Sequence, residues 1–174
     1  MELTEILTKE EWAAFEKELF DRFQINCTVY NTDGIGVTGK PNWCNRLCPE
    51  IKGNQESLAA ICAPGNQNFM ARAEKTRQPV IDECDAGLVK IAVPIFNQDE
   101  FLGTAGGCGR LPEAGEVDAF IVQKTTGLDE SAVNKLCESV ATITRSEAQA
   151  VADYIEKRIG EFVAGFEERG RVMA

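Results

Sequence analysis

The spacing of apolar residues changes several times along the chain, and each change marks an element. In TKEEWAAFEKELFDRFQ, residues 8–24, the side chains of Trp12, Phe15, Leu19, Phe20 and Phe23 recur at helical spacing. Thr8 followed by Glu11 has the form of a capping box, so a helix is predicted over 8–24. Its aromatic stripe is a core-facing surface, with a dimer face as the other use. At 26–31 the spacing shortens to alternation with β-branched residues, which predicts a strand. Thr32, Asp33, Gly34 and Gly36 supply turn chemistry, and a second short strand is expected from Ile35 to Thr38. No phosphate-binding glycine fingerprint leads from a strand into a helix here.

Residues 41–62 are expected to begin as a loop and to become a short helix near 54–61, broken by Pro64 and Gly65. A further helix is predicted over 65–77 and ended by Pro79. Strands follow at 80–84, 88–96 and 101–111. The last is rich in glycine, which inside a strand marks a bulge or a close backbone approach. The remainder is helical: 115–126, a helix capped by Asp129, and a long one over 144–169. In the long helix Val151, Ile155, Ile159, Phe162 and Phe166 form an apolar stripe. That stripe is covered by the sheet or by a second copy of the chain, so a homodimer through the C-terminal helix is one expectation. Strands joined by short turns predict an α+β fold with an antiparallel sheet flanked by helices and a helical C-terminal tail. One domain spanning 1–174 is expected, with no repeat or linker.

Composition narrows the function. The net charge of −10 opposes binding to phosphate backbones, and no basic patch is interleaved with aromatics, so direct nucleic-acid binding is not expected. Apolar runs such as IAVPIF at 91–96 are too short to span a membrane, and the acidic N-terminus is unlike a secretory signal. A cytoplasmic location is therefore expected. The chain holds seven cysteines and no histidine. Histidine-dependent triads, dyads and zinc ligands are thereby excluded. With no C-x-x-C pair and no histidine base, a thiol enzyme is not expected.

Cys44, Cys48, Cys62 and Cys84 stand on predicted loop, helix and strand ends that can converge. Four converging thiolates hold zinc or an iron–sulfur cluster rather than magnesium or calcium. Two other readings stay open. A redox-responsive disulfide could join Cys48–Cys62 or Cys62–Cys84, or the thiols could simply line a pocket. Cys27 and Cys137 lie on apolar faces and are expected in the core.

The run CPEIKGNQESLAAIC, followed by PVIDECDAGLVKIAVPIFNQDEFLGTAGGCGRL, resembles the PocR sensory domain, a PAS-like ligand-binding module of bacterial signalling proteins. The matching positions are Cys48, Cys62, Cys84-Asp85-Ala86-Gly87-Leu88, Ile91 to Ile95, Leu102-Gly103 and Gly106-Gly107-Cys108, and the resemblance covers about 8–165. It implies a PAS-like sheet and the sensing of a small organic molecule. It also implies a signalling partner protein or a fused output domain. Two positions depart from the family pattern: its histidine is Asp85 here, and its glutamine is Cys108. The pocket is expected between the sheet and the cysteine-bearing loop and helix. Trp43, Phe69, Asp85, Ile91, Val93, Thr104 and Cys108 are its candidate walls. Arg72 and Arg110 are candidates to meet a carboxylate, with solvated surface roles as the alternative.

Two functions from different classes follow. One is a non-enzymatic sensory module for a small organic ligand. The other is a cysteine-ligated zinc or iron–sulfur protein that senses redox state or carries electrons.

Overall fold

The computed structural model describes residues 1–172. A short helix that the periodicity does not reveal, α1 (Leu3–Ile6), precedes α2 (Lys9–Phe23). The capping box of α2 forms as predicted. The Thr8 hydroxyl accepts the Glu11 N–H at 3.2 Å, and the Glu11 carboxylate accepts the Thr8 N–H at 2.8 Å.

The sheet comprises β1 (Asn26–Asn31), β2 (Val80–Glu83), β3 (Val89–Asn97) and β4 (Glu100–Pro112), in the order β1-β4-β3-β2, all antiparallel. A two-residue strand, β5 (Thr142–Ile143), runs parallel to the end of β4. Between these strands lie α3 (Leu47–Gly53), α4 (Gln55–Ser57), a π turn (Leu58–Cys62) and α5 (Ala63–Thr76). Two short helices, α6 (Ala119–Thr126) and α7 (Glu130–Cys137), follow β4, and α8 (Arg145–Val172) comes last. The α+β architecture read from the sequence is the one observed.

Side chains alternate across a strand, so this sheet has two different faces. Cys27, Val29, Ile91, Val93, Ile95 and Ala105 point to one face and join Trp12, Phe15 and Leu19 of α2 with Val151, Ile155 and Ile159 of α8. Phe162 of α8 meets the rings of Trp12 and Phe15 edge-on, with centroids 5.8 and 5.1 Å apart. Arg158 and Tyr154 of α8 both bond Glu18 of α2, at 3.0 and 2.6 Å. The apolar stripe of α8 is thus covered within its own domain. Ala92 and Val80 point to the other face and pack on Phe69 and Ala73 of α5. A third cluster joins α3, α6 and α7 around Leu47, Ile51, Leu88, Val122 and Val133, and Cys137 packs against it. Cys27 is buried in the main core, as its position predicts.

Three expectations are corrected. The strand over 35–38 is reduced to a single bridge, Tyr30 to Gly36, flanked by bonds from Asn31 N–H to Ile35 O and Val37 N–H to Val29 O. Thr38 turns inward to Glu16 and Gly39 follows at φ +65°, so the chain leaves the sheet. The loop over 41–53 contains α3. There the Asn45 carboxamide accepts the Cys48 N–H at 2.7 Å in the first turn, and Leu47, Cys48 and Ile51 are buried. Pro64 does not break the helical run, which continues from Gln55 to Thr76. The Ala63 N–H reaches back to Leu58 O, and this widened turn takes up the proline at the start of α5.

Glu16 stitches α2 to the sheet from a fully buried position. Its carboxylate accepts the Val29 N–H at 2.8 Å and the Thr38 hydroxyl at 2.5 Å. Burial raises its pKa above the ordinary glutamate value against these two bonds. A raised folded pKa favours the protonated form, so the contribution to stability is full below the unfolded pKa and is lost as pH rises through the folded value. Glu16→Gln retains both partners without a charge. Its stability relative to the parent is therefore expected to increase between about pH 4 and about pH 7, measured by denaturant unfolding. Glu16→Ala strands the Val29 N–H and is expected to cost about 1–3 kcal/mol at any pH in that range.

Candidate functional site

The second face of the sheet carries the polar chemistry, and a break in the β3–β4 ladder creates it. Pairing runs Val89 to Arg110 and then Lys90 to Cys108, so Gly109 is left as a bulge. Its φ of +101° suits glycine. A Cβ there would lie 2.4 Å from Asn26 Nδ2 and 2.9 Å from Cys44 Sγ. The bulge turns the Gly109 carbonyl out of the ladder. It accepts the Asn45 carboxamide N–H at 2.6 Å and the Cys44 thiol at 3.4 Å. Asn45 also donates to Cys48 Sγ at 3.4 Å, so one buried side chain joins the bulge to the first turn of α3. Asn26 makes a parallel link: its Oδ1 accepts the Cys44 N–H at 2.7 Å, and its Nδ2 donates to Cys108 Sγ at 3.9 Å.

These links position Cys48 from α3, Cys62 from the π turn, Cys84 from the end of β2 and Cys108 from β4 around one cavity of about 30 Å³. Lys52 and Lys90 reach the same cavity, and Ile51, Ile61, Ala86 and Leu88 complete its walls. A shallower groove beside it is bordered by Tyr30, Asn66, Phe69 and Thr104. Gly106, in the floor of that groove, lets β3 and β4 approach closely, because a Cβ there would meet the Ile91 carbonyl at 1.9 Å.

Three of the four cysteines proposed as ligands, Cys48, Cys62 and Cys84, therefore share a cavity. The fourth position is taken by Cys108. Cys44 lies on the far side of Asn45, its thiol turned to the Cys108 and Gly109 carbonyls. All seven cysteines are free thiols, so neither Cys48–Cys62 nor Cys62–Cys84 is a disulfide. Among the described residues, no three cysteine, aspartate or glutamate side chains are arranged to hold a metal ion.

Phe69 and Thr104 border the groove, and Cys108 borders both groove and cavity. Trp43 lies outside, over the Lys52 ammonium at 5.5 Å and against the cluster around α3. Strand alternation sends the Ile91 and Val93 side chains into the main core; Ile91 also borders the groove, and Val93 does not. Asp85 is exposed on the turn closed by the bond from Gly87 N–H to Cys84 O. Arg72 pairs with Asp82 at the surface and Arg110 donates to Phe23 O, so neither reaches the cavity. Composition overlooks Asn26, Asn45, Tyr30, Lys52 and Lys90. A signal existed for the lysines. Lys90 is the one charge inside the apolar run 88–96, and Lys52 follows Cys48 by one helical turn.

Burial pushes the Cys62 thiol up to about 11 and raises Cys84 and Cys44 above the ordinary cysteine value. Cys108 goes the other way. The Cys48 thiol donates to its sulfur, and the Lys90 and Lys52 ammonium groups face it, so its thiolate is favoured despite burial. Burial opposes the Lys52 charge, but Tyr30 and Cys108 outweigh it and its pKa is raised.

A wider surface groove of about 510 Å³ lies between β2, β5 and the start of α8. Its polar groups, Asp82, Glu83, Glu113 and Arg145, are all exposed. It has no buried polar group to orient a ligand.

The family model described as the sensory domain found in PocR matches residues 5–164. The chain belongs to the PocR sensory-domain family. No curated protein and no solved structure matches it. The match takes in every strand and all the cavity residues. Of the two departures from the PocR pattern, Asp85 lies at the surface, whereas Cys108 is a wall of the PocR-domain cavity.

The bulge gives a differential test. Gly109→Ala adds a clash with Asn26 and Cys44 to the strain of a positive φ and is expected to destabilise by about 3 kcal/mol or more. Gly39→Ala has φ +65° with nothing within 4 Å of the added Cβ, and is expected to cost only about 1 kcal/mol. Denaturant unfolding of the two variants measures the difference.

Proposed function

We propose that this PocR domain binds a small organic molecule in the cysteine-lined cavity and reports its presence through α8. The observation that carries the reading is the convergence of four thiols and two ammonium groups on one small cavity whose other walls are apolar. Such a mixture of apolar walls and a few fixed polar groups is the usual build of a ligand site. Membership of a sensory family argues for a binding role rather than catalysis.

The relay follows from the two faces of the sheet. Lys90 and Cys108 meet the cavity, while Val89 and Ile91 on the same strand pack into the core shared with α8. A ligand that binds one arrangement of β3 and β4 more tightly shifts the population of α8 positions. The recipient is a signalling partner or a fused output domain. Seven free thiols favour a reducing, cytoplasmic setting. No described helix is long and apolar enough to cross a membrane.

Thermal unfolding against small alcohols, diols, amines and carboxylates tests the reading. At least one class is expected to raise the midpoint, and Cys62→Phe, which fills the cavity, is expected to abolish that rise while the protein still folds. No rise with any class, or a rise unaffected by Cys62→Phe, removes the cavity from consideration.

A second reading, a cysteine-ligated zinc or iron–sulfur centre, is favoured by the same four thiols standing on four different elements. Cys48, Cys62, Cys84 and Cys108 would be its ligands after a small inward movement, with Lys52 and Lys90 offsetting thiolate charge. Anaerobic purification followed by a visible spectrum and zinc, iron and sulfide assays decides it. About one zinc, or iron with sulfide, per chain supports the centre. Metal-free protein that still responds to a small molecule discards it.

A further inference from the structure

The cavity carries two ammonium groups, and the chain sets no carboxylate and at most one thiolate, Cys108, against them. Among the described residues, neither Lys52 nor Lys90 forms an ion pair with a carboxylate. Lys52 donates to the neutral Tyr30 hydroxyl at 3.2 Å, and Lys90 to the neutral Asn66 carboxamide at 2.5 Å. Both ammonium groups lie within 5.9 Å of the Tyr30 ring centroid, so they are neighbours across one aromatic side chain. Trp43 stands beside Lys52 and Phe69 beside Lys90, which keeps both half-buried. The chain carries 28 acids against 18 lysines and arginines, and surface cations such as Arg72 and Arg77 find partners among them. No acid is spent at the cavity.

Two ammonium groups in a partly desolvated site that face at most one thiolate, Cys108, leave an excess positive charge that is costly, and an anion drawn to them relieves that cost. Ring faces offset only part of it. The apolar part of the lining is Ile51, Ile61, Ala86 and Leu88, which offers nothing to a second charge. A volume of about 30 Å³ has room for roughly two or three water-sized groups. These features select an anion with one charged end and a short apolar tail. They disfavour phosphate, which is charged on every side.

Resting on the sensory reading above, we propose that the ligand class is a small monocarboxylate of about two or three carbons, its carboxylate between Lys52 and Lys90 and its tail against Ile51, Ile61 and Leu88. The assignment replaces Arg72 and Arg110, which are committed elsewhere, with two lysines on β3 and α3.

The test uses the full chain in differential scanning fluorimetry and calorimetry. Formate, acetate and propionate are compared with acetamide, 1-propanol and 1,2-propanediol, all at one ionic strength set with sodium chloride. Acetate or propionate is expected to raise the unfolding midpoint by roughly 5–10 °C at a hundredfold excess over Kd, and acetamide is not. Lys52→Met and Lys90→Met keep the apolar stem and are each expected to weaken acetate binding by about tenfold or more, while Lys52→Arg retains it. Equal shifts from acetate and acetamide, or acetate binding unchanged in both methionine variants, overturn the proposal. If only neutral alcohols or diols stabilise the protein, the carboxylate assignment fails and the sensory reading stands. If no compound of either kind does, both fail.

Discussion

The Asn45 carboxamide holds the functional half of the molecule together. One end accepts the Cys48 N–H and starts α3; the other donates to the carbonyl that the Gly109 bulge has released from the sheet. Helix and strand are thereby fixed to each other through a buried group whose polar atoms are all used. The bulge supplies the free carbonyl, and the asparagine supplies the reason for the bulge to persist. Cys48 and Cys108 face each other because these two conditions hold at once. Lys52, one turn further along α3, reaches the cavity for the same reason.

The sheet then separates two tasks by alternation alone. Odd-numbered positions of β1 and β3 build the core that closes on α2 and α8, and even-numbered positions form the floor of the groove and cavity. The charges on the core face are Glu16, satisfied by a backbone N–H and a hydroxyl, and, towards its edge, Arg110, which donates to the Phe23 carbonyl. The other face concentrates asparagine, cysteine and lysine. The polar groups of the candidate site thus stand on strands whose reverse sides form the main core, so they rest on a rigid floor.

Much of the fold was legible because local signals agreed with one another. The Thr8–Glu11 box, the Asp129 cap and the strand alternation each mark an element that forms where it is read. The misreadings share a cause, which is that tertiary contacts outweighed a local preference. Thr38 left the hairpin for Glu16, and α3 formed in a stretch with little helical signal because Asn45 capped it. Pro64 was absorbed by a widened turn instead of ending a helix. At the site, Cys48, Cys62 and Cys84 were visible from spacing. Cys108 was read as a pocket wall, and alternation with Thr104 and Gly106 puts it there; the departure of Cys44 was not visible, since its N–H is taken by Asn26 and its thiol by the carbonyl released at Gly109. Alternation was also the clue left unused for Ile91 and Val93, which share a face with Val29 rather than with Lys90.

The pairing of β5 with the end of β4 has a mechanical consequence. Pro112 lies opposite Ile143, and Thr144 immediately afterwards caps α8 by accepting the Glu147 N–H. The strand that carries Cys108 is therefore clamped to the root of a 28-residue rod. At 1.5 Å per residue the rod is roughly 40 Å long, so a tilt of about 5° at its root sweeps the far tip through roughly 4 Å. Near its far end Arg169 donates to the Ile6 carbonyl at 2.9 Å, which ties the tip of the rod to α1. A small tilt at the β5 junction would therefore be felt at the Arg169–Ile6 contact, a rod's length from the thiols.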